Sequence, residues 1–285
     1  MKLLLLILVF SFTGNTLAAP QPKPMNLALS AVFLGEQQGM IVRWKKYLEV
    51  KLQRPVEFVQ RRSYRELVDM FKLGSLDAGW VCGAPYVLNK SSERLLAVPV
   101  WKGRPYYQSY LIVPKSDTTT RSMADLRNKI FAYSDPDSNS GHNVPQGDII
   151  RLGADPATFF KKTMFTYAHN KSVEAVAAGL ADGARVDGYI YDQLVKLDPE
   201  LTAQTRLVDK SDDYGFPPMV TRADLPAAEF MKLRTVLLNM QNDAEGRILL
   251  AAMGLDKFIA GNEQIFDGVA ALIAEIKAAG DKRAR

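Results

Sequence analysis

The sequence has very few residues of the kinds that build disulfides and metal centres. Its 285 residues include one cysteine, Cys82, and two histidines, His142 and His169. A single thiol excludes an internal disulfide, so the core alone must stabilise the fold. The histidines show neither the His-Glu-x-x-His spacing nor a paired cysteine, which argues against a metal site, and we expect no cofactor.

Two common catalytic signatures are also missing. The chain has no Gly-x-x-x-x-Gly-Lys loop for a nucleotide and no Gly-x-Ser-x-Gly turn for a serine hydrolase. The enzymatic alternative is a secreted hydrolase that uses Ser140, His169 and either Asp187 or Asp192 as a triad. Hydrolases of the alternating α/β kind place the acid before the histidine, so we expect a protein that is not an enzyme.

Long apolar runs are limited to the start of the chain. Met1 and Lys2 precede the apolar run Leu3 to Phe10, and Thr16-Leu17-Ala18 then supplies the small residues that a signal peptidase requires. This pattern predicts a cleavable signal peptide over residues 1–19 and export to the periplasm. The run is too short for a permanent anchor, and no later segment is continuously apolar over the length of a membrane span.

The composition and the charge of the chain argue against nucleic acid as a partner. Apolar residues make up 47% of the chain and charged residues 24%, which is typical of a globular protein. The formal net charge of +5 comes from scattered basic residues, a pattern that suits a small anion and does not indicate nucleic-acid binding.

Strand and helix patterns alternate along the chain. The first lobe is predicted to begin with strands at Met25 to Ser30, Pro55 to Gln60 and Asp77 to Val81, separated by helices from Glu36 and from the capping box at Ser63. A second alternating series follows, in which Val186 to Tyr191 is predicted as a strand. We therefore expect an α/β protein of two lobes, each a mixed sheet flanked by helices, joined by two crossover strands.

The lobe boundaries follow from the polar breaks in this pattern. Lobe I is predicted to comprise residues 20–112 plus 218–285, and lobe II residues 113–217. The two crossings are expected near residues 111–115 and 214–219, where they form a hinge. Ligands of open α/β sheets bind beyond the carboxyl ends of the strands, so the loops that follow strands are the candidate sites.

The most informative of these loops is the segment Asp135-Pro136-Asp137-Ser138-Asn139-Ser140-Gly141-His142. It lies between a short apolar strand and a predicted helix from Asn143 to Leu152. Two hydroxyls and the unpaired amides of a helix start converge there, and such amides carry partial positive charge. The pattern therefore indicates a binding site for an anion, although many such loops only cap their own helix.

Other post-strand loops add neutral hydrogen-bonding groups, which suit a small oxyanion. The candidates, including the loop after the first strand, are Val32, Phe33, Tyr64, Cys82, Gly83, Tyr107, Ser138, Asn139, Ser140, Gly141, His142, His169, Asp187 and Tyr189. Taken singly, a tyrosine or histidine in such a position is as often a structural residue. Cys82 is either a small buried apolar residue or, directly before a helix start, a thiol with a lowered pKa.

Taken in order, these segments resemble the periplasmic phosphonate-, phosphite- and phosphate-binding proteins that supply ATP-driven importers. The resemblance covers roughly residues 25 to 260. It includes Tyr64 ahead of a helix, Tyr107 to Val113 at the entry to lobe II, and His169 followed by Val173 to Gly179 and Asp187. The segments that complete it are Leu76 to Trp80, Asp125 to Arg127, and Asp137 to Gly141 with Pro145.

The resemblance implies a two-lobed receptor that closes on its ligand and passes it to an inner-membrane ABC permease. Ser138, Asn139 and Ser140, with the amides that follow them, would bind the oxygens of phosphate, phosphite or a phosphonate. Tyr64, Tyr107 and His169 would donate further hydrogen bonds. We expect a monomer.

The chain also departs from the family pattern at two places. Gly215-Phe216-Pro217-Pro218 replaces an acidic residue in the second crossover, which weakens the case for an aminoalkylphosphonate ligand. Cys82 occupies a turn that ordinarily has no thiol. Since trivalent arsenic favours thiolate donors, the alternative is a periplasmic sensor of arsenite or a related oxyanion that signals to a membrane histidine kinase.

Overall fold

The computed structural model describes residues 23–29 and 38–283. The predicted signal peptide over residues 1–19 lies outside the described residues, as do Val32 and Phe33 and the predicted start of the first helix at Glu36. Among the residues that are described, no helix is both long and apolar enough to cross a membrane.

The chain alternates strands with helices, as the sequence pattern predicts. The strands are β1 (Met25–Leu29), β2 (Val56–Gln60), β3 (Ala78–Trp80), β4 (Glu93–Val100), β5 (Tyr106–Tyr107), β6 (Ser109–Pro114), β7 (Ile130–Tyr133), β8 (Lys162–Phe165), β9 (Gly183–Asp187), β10 (Thr205–Lys210), β11 (Tyr214–Gly215), β12 (Met219–Arg222) and β13 (Lys257–Ile259). The α-helices are α1 (Gln38–Leu52), α2 (Tyr64–Lys72), α3 (Gly83–Leu88), α4 (Val144–Arg151), α5 (Pro156–Phe159), α6 (His169–Ala177), α7 (Gly188–Leu197), α8 (Pro199–Ala203), α9 (Ala227–Leu238), α10 (Ala244–Met253) and α11 (Asp267–Arg283).

Two separate sheets define the two lobes. Lobe I contains a six-stranded sheet in the order β13-β4-β12-β3-β1-β2, and lobe II a five-stranded sheet in the order β10-β6-β9-β7-β8. Each sheet is mixed: β1 pairs in parallel with β2 and β3, whereas β12 runs antiparallel to β3 and β4. The expected two-lobed α/β architecture is therefore confirmed.

The lobes are joined by a short ribbon in which β5 pairs antiparallel with β11. The whole of β6 belongs to the sheet of lobe II, so the predicted boundary at residue 112 falls inside this strand, and the first crossing predicted near residues 111–115 overlaps its end. The chain crosses earlier, at Tyr106–Tyr107. The second crossing is predicted near residues 214–219, and there the carbonyl of Pro217 accepts a hydrogen bond of 2.9 Å from the Trp80 indole.

The prediction of a strand over Val186 to Tyr191 is wrong beyond Asp187. β9 ends there, and α7 begins at Gly188 because the Asp187 carboxylate accepts hydrogen bonds from the amides of Tyr189 and Ile190. The apolar run that suggested a strand is the buried face of this helix. Gly188 also packs so closely on the Tyr110 ring that a Cβ would clash with it.

The last helix connects both lobes. α11 packs on α3 of lobe I and on α4 of lobe II, where the Arg151 guanidinium donates to the Glu275 carboxylate at 2.6 Å.

The core of lobe I surrounds Trp80, whose ring centroid lies 6.1 Å from that of Phe258 and 6.3 Å from that of Trp44. These ring contacts place Trp80 among the large aromatic residues of that core.

Glu93, the first residue of β4, is an unusual carboxyl group in this core. Only 3% of the residue is exposed, and neither carboxylate oxygen has a hydrogen-bond partner within the described part of the chain. Burial raises its pKa to about 8, against an ordinary value of 4.5, and the positive charge of Lys72 opposes this only in part. We therefore expect Glu93 to carry a proton at neutral pH.

We predict that Glu93 makes the free energy of unfolding fall as pH rises from about 4.5 to about 8, because the native state retains a proton that the unfolded chain releases. In Glu93→Gln this fall should be absent, so that the variant gains stability relative to the wild type between about pH 5 and about pH 9. Urea denaturation at several pH values measures the difference. Glu200→Gln, at an exposed position of α8, is the matched control, and a pH-independent difference for Glu93→Gln would contradict the prediction.

Candidate functional site

Residues from both lobes meet in a buried group at the carboxyl ends of β3, β7 and β9. We call it the interlobe cluster. Its members, each under 10% exposed, are Tyr64 and Cys82 of lobe I, Tyr107 of the crossing ribbon, and Ser138, Asn139, Ser140, Gly141, His169 and Asp187 of lobe II. The structure thus brings together nine of the fourteen candidates named from the sequence, of which Val32 and Phe33 lie outside the described residues.

The serine-rich segment folds into a turn of π-helix at Asn139–Asn143, directly before α4. The Ser138 hydroxyl accepts a hydrogen bond of 3.0 Å from the Gly141 amide, which ends the preceding loop and begins the turn. Glycine is required at position 141, because a Cβ there would overlap the Ser134 hydroxyl and lie 3.2 Å from the His169 ring. The turn therefore packs directly against its neighbours through backbone atoms.

Asn139 connects this turn to the rest of the cluster. Its amide donates to the Cys82 sulfur at 3.4 Å, and its side-chain nitrogen donates to the Tyr107 hydroxyl at 3.1 Å. The adjacent Ser140 carbonyl accepts a hydrogen bond of 2.8 Å from the Ser109 hydroxyl. The turn is thus bonded to lobe I, to the crossing ribbon and to β6 at the same time.

Two polar atoms at the turn have no protein partner. The side-chain oxygen of Asn139 and the hydroxyl of Ser134 are buried, and neither makes a hydrogen bond to any residue that the structure describes. A buried polar group without a partner costs about 1–3 kcal/mol. Such atoms are expected where a protein forms hydrogen bonds with a ligand.

The two tyrosines of the cluster are neutral. Burial raises the pKa of Tyr64 and of Tyr107 well above the ordinary value, and the nearby Cys82 and Asp187 raise both further. The hydrogen bonds of Tyr107 with Asn139 and Ser140 lower its pKa only in part. Each phenol is therefore available to donate a hydrogen bond without adding charge.

His169 is also neutral, and its bonding fixes which nitrogen carries the proton. Burial lowers its pKa to about 3. Its Nδ1 accepts a hydrogen bond of 3.1 Å from the Asp187 amide, so the ring proton is on Nε2, which is a donor. The contact between these residues is thus made through the Asp187 backbone.

This geometry does not form the hydrolase triad considered above. The Asp187 carboxylate binds the amides at the start of α7, and the Asp192 carboxylate accepts a hydrogen bond of 2.5 Å from Lys102. Neither carboxylate orients the His169 imidazole as a triad requires. Burial also raises the Asp187 pKa to about 7, although its bonds with the Ile190 and Tyr189 amides oppose the shift.

Of the two alternatives for Cys82, the structure supports the small buried residue and contradicts the thiol with a lowered pKa. The residue does precede α3 directly, and it accepts a hydrogen bond from Asn139. Burial nevertheless raises its pKa to about 12, because the loss of hydration outweighs the effect of the amides of Asn139 and Ala84. The sulfur is a neutral thiol that packs against the turn of lobe II.

Three predicted site residues lie outside the cluster or serve another purpose. The His142 ring packs edge-on against Tyr133, 5.0 Å between centroids, in the wall of a different cavity of about 650 Å³. The Tyr189 hydroxyl donates to the Met253 carbonyl at 2.7 Å, and its ring contacts Phe216 in the core. A Cβ at Gly83 would meet only ordinary contacts of 3.7 Å or more, so the turn does not require glycine.

Three polar residues of this region were not among the candidates for ligand binding, although Asp135 belongs to the loop that the sequence singled out. Ser109 and Ser134 bond or contact the turn, and Asp135 accepts a hydrogen bond from the Tyr64 amide at 3.1 Å. Asp135 follows a strand in the same way as Ser138, so its position in the chain was a usable signal. Ser109 gave none, because it is the first residue of the otherwise apolar strand β6.

The chain is similar to known transport proteins over most of its length. Residues 37–265 match the family described as ABC transporter, phosphonate, periplasmic substrate-binding protein. The chain is 22% identical over 208 residues to PhnD1 of Prochlorococcus marinus (strain MIT 9301), described as a probable ABC transporter phosphite-binding protein. That similarity covers 69% of this chain and 70% of its relative.

Solved structures show the same fold. A binding protein component of an ABC phosphonate transporter from Pseudomonas aeruginosa superposes with a TM-score of 0.83 at 22% identity, covering 91% of this chain and 88% of that one. PhnD1 from Prochlorococcus marinus in complex with methylphosphonate superposes with a TM-score of 0.80 at 18% identity, covering 90% and 99%. All of these proteins are two-lobed binding proteins.

We predict that Asp187→Asn removes one pH-dependent contribution to stability. The raised pKa of Asp187 makes the free energy of unfolding fall as pH rises from about 3.8 to about 7, by at most about 4 kcal/mol. The neutral His169 has the opposite effect, because its stabilisation is lost as pH falls from 6.5 towards about 3. The variant retains an oxygen that can cap α7.

The difference in unfolding free energy between Asp187→Asn and the wild type isolates the aspartate from the histidine. The free energy of unfolding of Asp187→Asn minus that of the wild type should be larger at about pH 8 than at about pH 4. Urea denaturation over this range measures it. A difference that stays constant with pH would show that Asp187 does not titrate as its burial requires.

Proposed function

The chain belongs to the periplasmic substrate-binding proteins of phosphonate ABC transporters, and on this premise we propose that it binds phosphite or a simple phosphonate between its lobes. It would act in the periplasm as a monomer, after removal of the signal peptide. It would then deliver the ligand to an inner-membrane ABC permease.

The observation that carries this proposal is the π-helical turn at Asn139–Asn143 and its position between the lobes. The turn faces the phenol of Tyr107 and the thiol of Cys82, and the imidazole of His169 lies beside Gly141. Amides, hydroxyls and a neutral imidazole are the groups that bind a small oxyanion without an opposing side-chain charge.

The acceptors of the cluster suit a ligand that retains one proton. The side-chain oxygen of Asn139, which has no partner among the described residues, is an acceptor beside the donors, and Asp187, with a pKa of about 7, is an acceptor in its ionised form only. A fully ionised oxyanion offers no hydrogen to an acceptor, whereas a singly protonated phosphite or phosphonate offers one. Phosphate shares this chemistry, and the named relatives favour phosphite and methylphosphonate.

The arsenite-sensor alternative gains no support from the cluster. Soft-metal binding requires a thiolate, and the Cys82 thiol has a pKa of about 12. It is also the sole cysteine of the sequence, so no second thiolate is available. We therefore retain transport as the proposed role.

We predict that Ser140→Ala weakens oxyanion binding by about 10- to 100-fold, since a hydrogen bond to a charged group contributes about 1.5–3 kcal/mol. The side chain is buried beside Tyr107 and does not support the fold through a cap, so the variant should fold normally. Isothermal titration calorimetry with phosphite, methylphosphonate, phosphate and sulfate measures the affinities.

Ser116→Ala is the matched control, because Ser116 lies in an exposed turn after β6. It should bind each anion as the wild type does. If the wild type binds none of the four anions, the proposed function is wrong. If it binds and Ser140→Ala binds equally well, the function stands but the assignment of Ser140 to the ligand does not.

A further inference from the structure

Two aspartates precede the serine turn, and both contact the opposite lobe. Asp135 follows β7, and its Oδ2 accepts a hydrogen bond of 3.1 Å from the Tyr64 amide, the first residue of α2 in lobe I. Its Oδ1 accepts one of 2.8 Å from the Asp137 amide in its own loop. The proposed function makes no use of either carboxylate.

Asp137 forms a two-pronged ion pair with the same helix. The Arg65 guanidinium donates through Nε and through an NH2 group to the two carboxylate oxygens, both at 2.9 Å. The Arg65 side chain is 68% exposed and that of Asp137 is 18% exposed. This planar, bidentate arrangement is the strongest form of an arginine–carboxylate contact.

The start of α2 is suited to these two carboxylates. Ser63 and Glu66 form a capping box, in which the Ser63 hydroxyl accepts from the Glu66 amide and the Glu66 carboxylate accepts from the Ser63 amide. The Tyr64 amide remains without an intrahelical acceptor, and Asp135 supplies one from lobe II. The partial positive charge of a helix start also favours nearby negative groups.

We propose that Asp135 and Asp137 form an interlobe clasp on α2, made only when the lobes are closed, which sets the dissociation rate of the ligand. The proposal rests on the proposed function, since it presumes a ligand bound between the lobes. The clasp stabilises the closed arrangement of the lobes through contacts between α2 of lobe I and residues 135–137 of lobe II.

The clasp and the proposed anion site belong to one loop. Residues 135–137 form the clasp, and the serine turn begins with the capping residue Ser138. An interaction present only in the closed state increases ligand affinity by the factor by which it favours closure. Release requires opening, so breaking the clasp accelerates dissociation.

Exposed ion pairs commonly contribute little, and this pair differs in two respects. Its geometry is bidentate, and it lies beside the buried Asp135 carboxylate. Burial raises the pKa of Asp135, whereas the hydrogen bonds from the Asp137 and Tyr64 amides and the charge of Arg65 lower it. Substitutions of Arg65 and Asp137, whose side chains form this ion pair outside the hydrophobic core, should leave the core of either lobe unchanged. Substitution at these two positions is therefore a test of closure and not of folding.

The test uses Arg65→Ala and Asp137→Asn with phosphite and methylphosphonate as probes. Each variant should raise Kd about two- to fivefold, through a faster dissociation rate in stopped-flow measurements. The two substitutions change the net charge in opposite directions, so a general effect on anion attraction would have opposite signs in the association rate. A shared increase in the dissociation rate therefore identifies the clasp.

Two further comparisons sharpen the result. The charge-swapped double variant Arg65→Asp with Asp137→Arg should recover a slower dissociation rate than either single charge reversal. Lys45→Ala is the matched control, because Lys45 pairs with Glu57 at 3.0 and 3.1 Å entirely within lobe I. The difference between the wild type and Arg65→Ala should also shrink in about 0.5 M salt, where charges are screened over a few ångströms.

Dissociation rates equal to that of the wild type in both single variants would overturn the clasp. If the wild type binds none of the oxyanions, the proposed function fails, and the clasp is then tested by small-angle scattering without ligand. Arg65→Ala should show a larger radius of gyration than the wild type at low salt. Equal radii would overturn the clasp in that case too.

Discussion

The structure depends on the burial of one polar loop between two lobes. After β7 the loop passes the exposed Pro136, and residues 138–141 then enter a region where water is excluded, so almost every polar atom there needs a partner. Asn139 bonds to Cys82 and Tyr107, Ser140 bonds to Ser109, and Ser138 caps the turn. These bonds join the loop of lobe II to lobe I and to the crossing ribbon.

The same burial determines the chemistry of the site. Removing water favours the uncharged form of each group, which keeps the two tyrosines, His169 and the Cys82 thiol neutral and brings the Asp187 pKa to about 7. The result is a set of neutral donors with a few acceptors. A site of this kind can recognise a small oxyanion by hydrogen bonds of defined direction, in which an acceptor distinguishes a protonated oxygen from an ionised one.

Much of this arrangement could be read from local patterns. The capping box at Ser63 and the alternation of strands and helices are set by residues close in sequence, and each was predicted within a few positions. The errors have a common cause. At Val186 to Tyr191 an apolar run was predicted as a strand, because burial makes a fully packed helix start look like a strand in sequence. The first crossing was misplaced because only Gln108 separates β5 from β6, so the local sequence does not mark where the chain enters the sheet of lobe II.

The sequence by itself determined the kinds of groups available: few metal ligands, one thiol, and hydroxyls and tyrosines in the loops after strands. Only the tertiary structure decided which of them act together. His142 and Asn139 are three residues apart, yet the π-helical turn directs one ring towards Tyr133 and the other side chain towards Tyr107. The pKa of Cys82 likewise depends on how much water the opposite lobe displaces, and no local pattern encodes that. Contacts between residues distant in the chain, and the hydration that they remove, are properties of the folded molecule alone.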